Sequence, residues 1–247
     1  MKIQMLNTGE VQCREGKPIG MKKSTRIAGI VFLLLSLAEV ISLAFHITGV
    51  NPILKPLLIP SLAVSALCAL LPEHGGWKTF LLAVALALHT AGDILLLLDG
   101  FVFFVAGLGA FLLGHIFYLV ILFSGMGLFR DWKETILSLL PFALALMAVS
   151  LLDVKGALRV VTTIYALALL FVPTAGGLWL LHGYKMGWRI LTGGLLFVVS
   201  DILLGLNVFN GIGFSLHHAI VMCTYLAAEW LLVSGMVHQR LHDTLSP

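Results

Sequence analysis

Charge is what this sequence most lacks. Asp, Glu, Lys and Arg make up only 11 % of its 247 residues, where an ordinary soluble domain carries roughly 25 %. Cysteine is scarce too: Cys13, Cys68 and Cys223 are odd in number and far apart. That excludes a disulfide framework and any local zinc spacing, and leaves them as small buried hydrophobes. Three familiar chemistries are missing as well. There is no G-x-S-x-G nucleophile elbow, no H-E-x-x-H and no phosphate-cradling G-x-x-x-x-G-K-[ST]. The net charge of +3 is small and its basic residues gather near the N-terminus. That pattern suits membrane orientation and speaks against a nucleic-acid partner.

What the chain has instead is apolar length. Hydrophobic residues account for 60 % of it, and mean hydropathy is +1.05. The expected class is all-α, a polytopic membrane protein. A bilayer-crossing helix needs about 20 residues, and on that ruler the chain divides into eight spans. They are Arg26–Ile47, Pro52–Leu71, Lys78–Leu98, Phe101–Phe123, Thr135–Leu152, Ala157–Leu181, Trp188–Leu206 and Ser215–His238. Breaks between them carry Gly, Pro, Asn or Asp, which disfavours merging a pair into seven spans. Residues 1–24 read as a tail, with Met21-Lys22-Lys23 resembling a fresh bacterial start. Residues 25–240 form the membrane domain, and 241–247 a short C-terminal tail.

Basic residues set the expected orientation. With the N-terminus inside and residues 1–20 set aside, nine Lys and Arg fall on inner segments and three (Lys55, Lys155, Arg159) on outer ones. Both termini are therefore expected in the cytoplasm of a bacterium, with the chain in its inner membrane.

Within this apolar background one phrase occurs twice, 108 positions apart: Gly92-Asp93-Ile94-Leu95-Leu96 and Ser200-Asp201-Ile202-Leu203-Leu204. An ionisable residue inside a bilayer costs about 2.5–3.5 kcal/mol on insertion scales, which marks it as a functional candidate. Tyr118 follows Asp93 by 25 residues and Tyr225 follows Asp201 by 24. The recurrence suggests two four-helix halves in parallel orientation, although a short Leu-rich likeness also arises by chance.

Other polar residues have two readings each. His89 and Asp93 are four apart on one helix face, which suits either mutual tuning of protonation or an interhelical hydrogen bond. His115 and Tyr118 lie on an aromatic stripe that either packs or lines a substrate path. His218, Tyr225 and Glu229 form a stripe on the last helix, and Glu39 sits alone on the first. Lys55 is either a snorkelling lysine or a cation aimed at a phosphate. Gly107, Gly114, Gly193 and Gly194 read as close-packing positions, and Asp99 and Asn207 as turn residues. Glu39, Lys55, Asp93, Asp201, His217 and His218 all fall toward the outer leaflet.

These residues resemble the YhhN family of membrane proteins, which includes the lysoplasmalogenases. The likeness runs through Leu54-Lys55-Pro56-Leu57, Gly92-Asp93-Ile94-Leu95-Leu96, Gly109-Ala110-Phe111, Gly114-His115 with Tyr118, Ser200-Asp201 and Tyr225-Leu226-Ala227-Ala228-Glu229. Glu229 departs from the family, which more often has an amide there. The resemblance implies hydrolysis of the sn-1 vinyl ether of a lysoplasmalogen to a fatty aldehyde and a glycerophospho-ethanolamine or -choline. No cofactor or metal is implied.

The implied reaction fits the residues. A vinyl ether hydrolyses by protonation at its β-carbon and capture of the oxocarbenium ion by water. That calls for one carboxylic acid and one carboxylate, the division of labour found in glycosidases. Asp93 and Asp201 are the expected catalytic pair. Lys55, His89, His115, Tyr118, Ser200, His218, Tyr225, Glu229 and Glu39 are the expected substrate-binding set, and a lysophospholipid within membrane lipid is the expected partner. Two rivals stand beside this: a zinc-dependent lipid hydrolase resembling alkaline ceramidases, drawing on His89, Asp93, Asp201, His217 and His218, and a proton-coupled transporter or lipid-binding protein.

Overall fold

The computed structural model describes residues 23–74, 76–124, 126 and 131–243. The expected start at Met21, and Cys13, lie outside them. Among the described residues the chain is all-helical, with eight helices and no strand. They are α1 (Lys23–Ala44), α2 (Asn51–His74), α3 (Trp77–Leu95), α4 (Phe101–Phe123), α5 (Trp132–Leu151), α6 (Ala157–Leu181), α7 (Gly187–Asn210) and α8 (His217–Asp243). Each is long and apolar enough to cross a bilayer. Large apolar side chains such as Ile30, Leu34 and Leu37 of α1 are exposed, as lipid-facing residues must be. The chain is an integral membrane protein.

Element boundaries differ from expectation by a few residues, for local reasons. Helix α1 stops at Ala44, where Ile47 N–H reaches back to Ser42 O at 2.8 Å and His46 takes φ 53°. Helix α3 stops at Leu95, after which Leu97 and Leu98 donate to carbonyls three residues back. Helix α7 runs four residues beyond Leu206, so Asn207 is helical and not a turn residue. It still works at the helix end: its carbonyl accepts from Gly211 N–H at 3.1 Å, with Gly211 in the left-handed region at φ 67°. Asp99 does lie in the connection between α3 and α4. Helix α5 starts earlier than expected because Asp131 caps it, accepting from Lys133 and Glu134 N–H at 2.9 and 3.0 Å.

Neighbouring helices pack in chain order, α1 through α4 and again α5 through α8. The two runs close on each other where α4 meets α6 and α8 meets α2, with α1 also against α8. Those closures are equivalent if α1–α4 and α5–α8 are two halves, as the twin phrase suggests. Helix α8 is the most enclosed, while α1 and α5 are peripheral.

The expected glycine contacts are close. A Cβ at Gly194 would sit 2.6 Å from Pro173 N on α6, and one at Gly193 3.0 Å from Leu231 and Leu232 of α8. The α6–α7 crossing therefore admits nothing larger than hydrogen at position 194. Gly194→Val is expected to destabilise the fold by at least the 1–3 kcal/mol typical of overpacking, read as a lowered melting temperature. An unchanged melt would refute this packing argument.

Candidate active site

Both aspartates face one cavity of about 550 Å³, inside the range of about 300–1,000 Å³ usual for small-molecule sites. Its residues come from α1–α8 near the end of the bundle carrying the α1–α2, α3–α4, α5–α6 and α7–α8 connections. Most of the lining is apolar.

Asp93 is buried, with two partners from other helices. Lys55 Nζ of α2 lies 3.8 Å from its Oδ1, and the Tyr225 hydroxyl of α8 donates to its Oδ2 at 2.8 Å. Asp201 is held differently: the Tyr165 hydroxyl of α6 donates to its Oδ2, and among the described residues it has no ion pair. The small residue before each aspartate is a packing device. A Cβ on Gly92 would sit 2.7 Å from the Phe111 ring, so only glycine lets α4 bring Phe111 under Asp93. Ser200 Oγ donates to Val221 O at 3.0 Å, tying α7 to α8 beside Asp201.

Of the expected substrate-binding residues, Lys55, Ser200, His218 and Tyr225 line the cavity with the two aspartates. His89, His115, Tyr118, Glu229 and Glu39 do not. His89 had been expected to pair with Asp93, but its Nδ1 lies 2.5 Å from Glu229 Oε1. The Tyr118 hydroxyl donates to Glu229 Oε2 at 2.8 Å. All three residues are fully buried, so Glu229 is paired with a histidine and a tyrosine away from the cavity. His115 packs beside them, ring centroids 5.0 Å from His89, with its Nδ1 on Phe111 O at 2.8 Å. Phe111 and Phe197 line the cavity and also contact His89, at ring separations of 5.4 and 5.9 Å. They form a partition between the cavity and this polar cluster. Glu39 is buried near the rim, its Oε1 accepting from the Asn51 side chain and its Oε2 unpartnered.

Sequence reasoning missed Tyr165 and Asn51. A signal existed for the first: Lys55 precedes Asp93 by 38 residues and Tyr165 precedes Asp201 by 36. In each half the preceding helix sends one polar side chain to the aspartate. Among the described residues no group of three His, Cys, Asp or Glu is arranged to hold a metal ion. The zinc-ligand set considered from the sequence does not assemble among the described residues: His89 is directed to Glu229, and neither it nor His217 lines the cavity.

No curated protein and no solved structure matches the chain. A family model does, over residues 50–236. That stretch holds Lys55, both aspartates, Tyr165, Tyr225 and Glu229, and on it the chain belongs to the YhhN family.

Proposed function

We propose that the protein hydrolyses the sn-1 vinyl ether bond of a lysoplasmalogen, releasing a fatty aldehyde and a glycerophospho-ethanolamine or -choline. Its setting is the bacterial inner membrane, with both termini cytoplasmic. The observation that carries this reading is the pair of aspartates facing one largely apolar cavity, with Lys55 beside Asp93. Association of the YhhN family with lysoplasmalogenase activity supports it.

The asymmetry suits the two aspartates to different roles. Lys55 and the Tyr225 hydroxyl stabilise negative charge on Asp93, which suits it to be the carboxylate. Asp201, with a phenol and, among the described residues, no cation in an ion pair with it, is the proton donor. Asp201 protonates the β-carbon, the double-bond electrons forming the new C–H bond, and leaves an oxocarbenium ion. Asp93 stabilises this cation and takes a proton from water as the water oxygen bonds the α-carbon. The hemiacetal then collapses: its hydroxyl proton returns to Asp201, the C–O bond to glycerol breaks, and Asp93 protonates the leaving oxygen. Both carboxyls end as they began. Apolar walls keep bulk water from the cation.

Mass spectrometry tests this directly. Purified protein incubated with lysoplasmenyl-ethanolamine and with its saturated 1-acyl counterpart is expected to yield aldehyde from the first alone. Fatty acid released from the acyl lipid alone would indicate an esterase, and uptake into proteoliposomes without covalent change a transporter. Either result would sink the vinyl-ether reading.

A further inference from the structure

Apart from the aspartates, the cavity's charge-bearing side chains lie on one side. Lys55 and Asn51 of α2 and His218 of α8 line one side. Across from them, α4 contributes Phe104 and Leu108, and α5 contributes Ala148 and Val149 with Leu152 just past its end, all apolar. Helix α7 adds Leu204, Gly205, Val208 and Phe209 beyond Asp201. The two aspartates thus lie between a charged end and a hydrocarbon-like end, as the vinyl ether lies between headgroup and chain.

Two details show that the apolar end is a fitted wall. Gly205 is buried against Leu152, and a Cβ there would sit 3.2 and 3.3 Å from the two Leu152 methyls. Ala148 is half-buried one turn earlier on α5. Glycine at 205 lets Leu152 close against α7, and the small Ala148 leaves room that a bulkier side chain would take up. At the far edge Phe104 of α4 meets Phe209 of α7 edge to face, ring centroids 5.7 Å apart.

We propose that the sector under α5 is the subsite for a single hydrocarbon chain, and that Ala148, Leu152 and Gly205 set the chain length it accepts. This rests on the lipid reading of the cavity but not on the vinyl-ether chemistry. The driving force is burial of methylenes, and each one denied contact weakens binding by about 4-fold.

The test uses the whole protein in amphipol and saturated lysophosphatidylethanolamines with decanoyl, myristoyl and stearoyl chains, which carry no vinyl ether. Binding is read as displacement of a fluorescent single-chain lipid. Ala148→Leu is expected to weaken stearoyl binding at least 10-fold while leaving decanoyl binding nearly unchanged. Leu152→Ala is expected to act in the opposite direction, favouring the longest chain. Using both variants guards against one that fails to fold. Equal loss at every length, or no change at any, would overturn the assignment. So would a Lys55→Met protein in which the length dependence, and not the overall affinity, changed. Because no bond is cleaved, these outcomes stand apart from whether aldehyde is ever formed.

Discussion

Asp201→Asn is expected to lower aldehyde release by at least about 100-fold, the lower range for losing a general acid, with little change in substrate affinity. The amide is nearly isosteric and can still accept from the Tyr165 hydroxyl, so the cavity keeps its shape while the transferable proton is gone. Asp93→Asn is expected to fall as far for a different reason. It leaves Lys55 without its anionic partner and puts an uncompensated cation near the developing oxocarbenium ion. The two are separable by also replacing Lys55. Lys55→Met combined with Asp93→Asn removes both charges, and is expected to recover part of the loss caused by Asp93→Asn alone. It gives no relief to Asp201→Asn. Folded variants of either aspartate with near-wild-type turnover would end the two-carboxylate mechanism.

A second large effect is expected on stability. Glu229→Ala removes the acceptor of both the His89 imidazole and the Tyr118 hydroxyl, in a place no solvent reaches. Breaking a buried pair by deleting one partner typically costs about 3–5 kcal/mol, a large share of any fold's margin. Glu229→Gln should be far milder. An amide offers one carbonyl acceptor and two N–H donors, and neutral His89 can present a lone pair at Nδ1 by changing tautomer. The prediction is a melting curve close to wild type for Gln and a sharply lowered one for Ala, followed by tryptophan fluorescence in amphipol. If Ala melts like wild type, the cluster does not hold the bundle's centre.

Much of this molecule was legible because a bilayer is a demanding solvent. Backbone groups there must be satisfied within helices about 20 residues long, so apolar runs and turn residues located all eight. The expense of charge singled out Asp93 and Asp201. What remained hidden depended on side-chain direction between helices. His89 and Asp93 share a face at i and i+4, yet His89 is directed to α8 and Asp93 to α2 and α8. Tyr118 and Tyr225 stand at like offsets from the two aspartates but serve unlike partners, Glu229 and Asp93. Tyr165 carried no mark of cost, because a phenol sits comfortably in an apolar helix until a carboxylate is found beside it. Helix ends shifted where capping, as at Asp131 and Gly211, outweighed hydropathy.

The partly open cavity, largely apolar but charged on one side, bears on how the protein must be handled. A common solubilising detergent is one alkyl chain on a compact polar head, which matches the division of the site itself. Micelles would therefore act as a reservoir of competitor: apparent substrate affinity falls as free detergent rises, more steeply for long-tailed detergents than for short ones. Inactivity in such a solution would report an occupied site, not an absent activity.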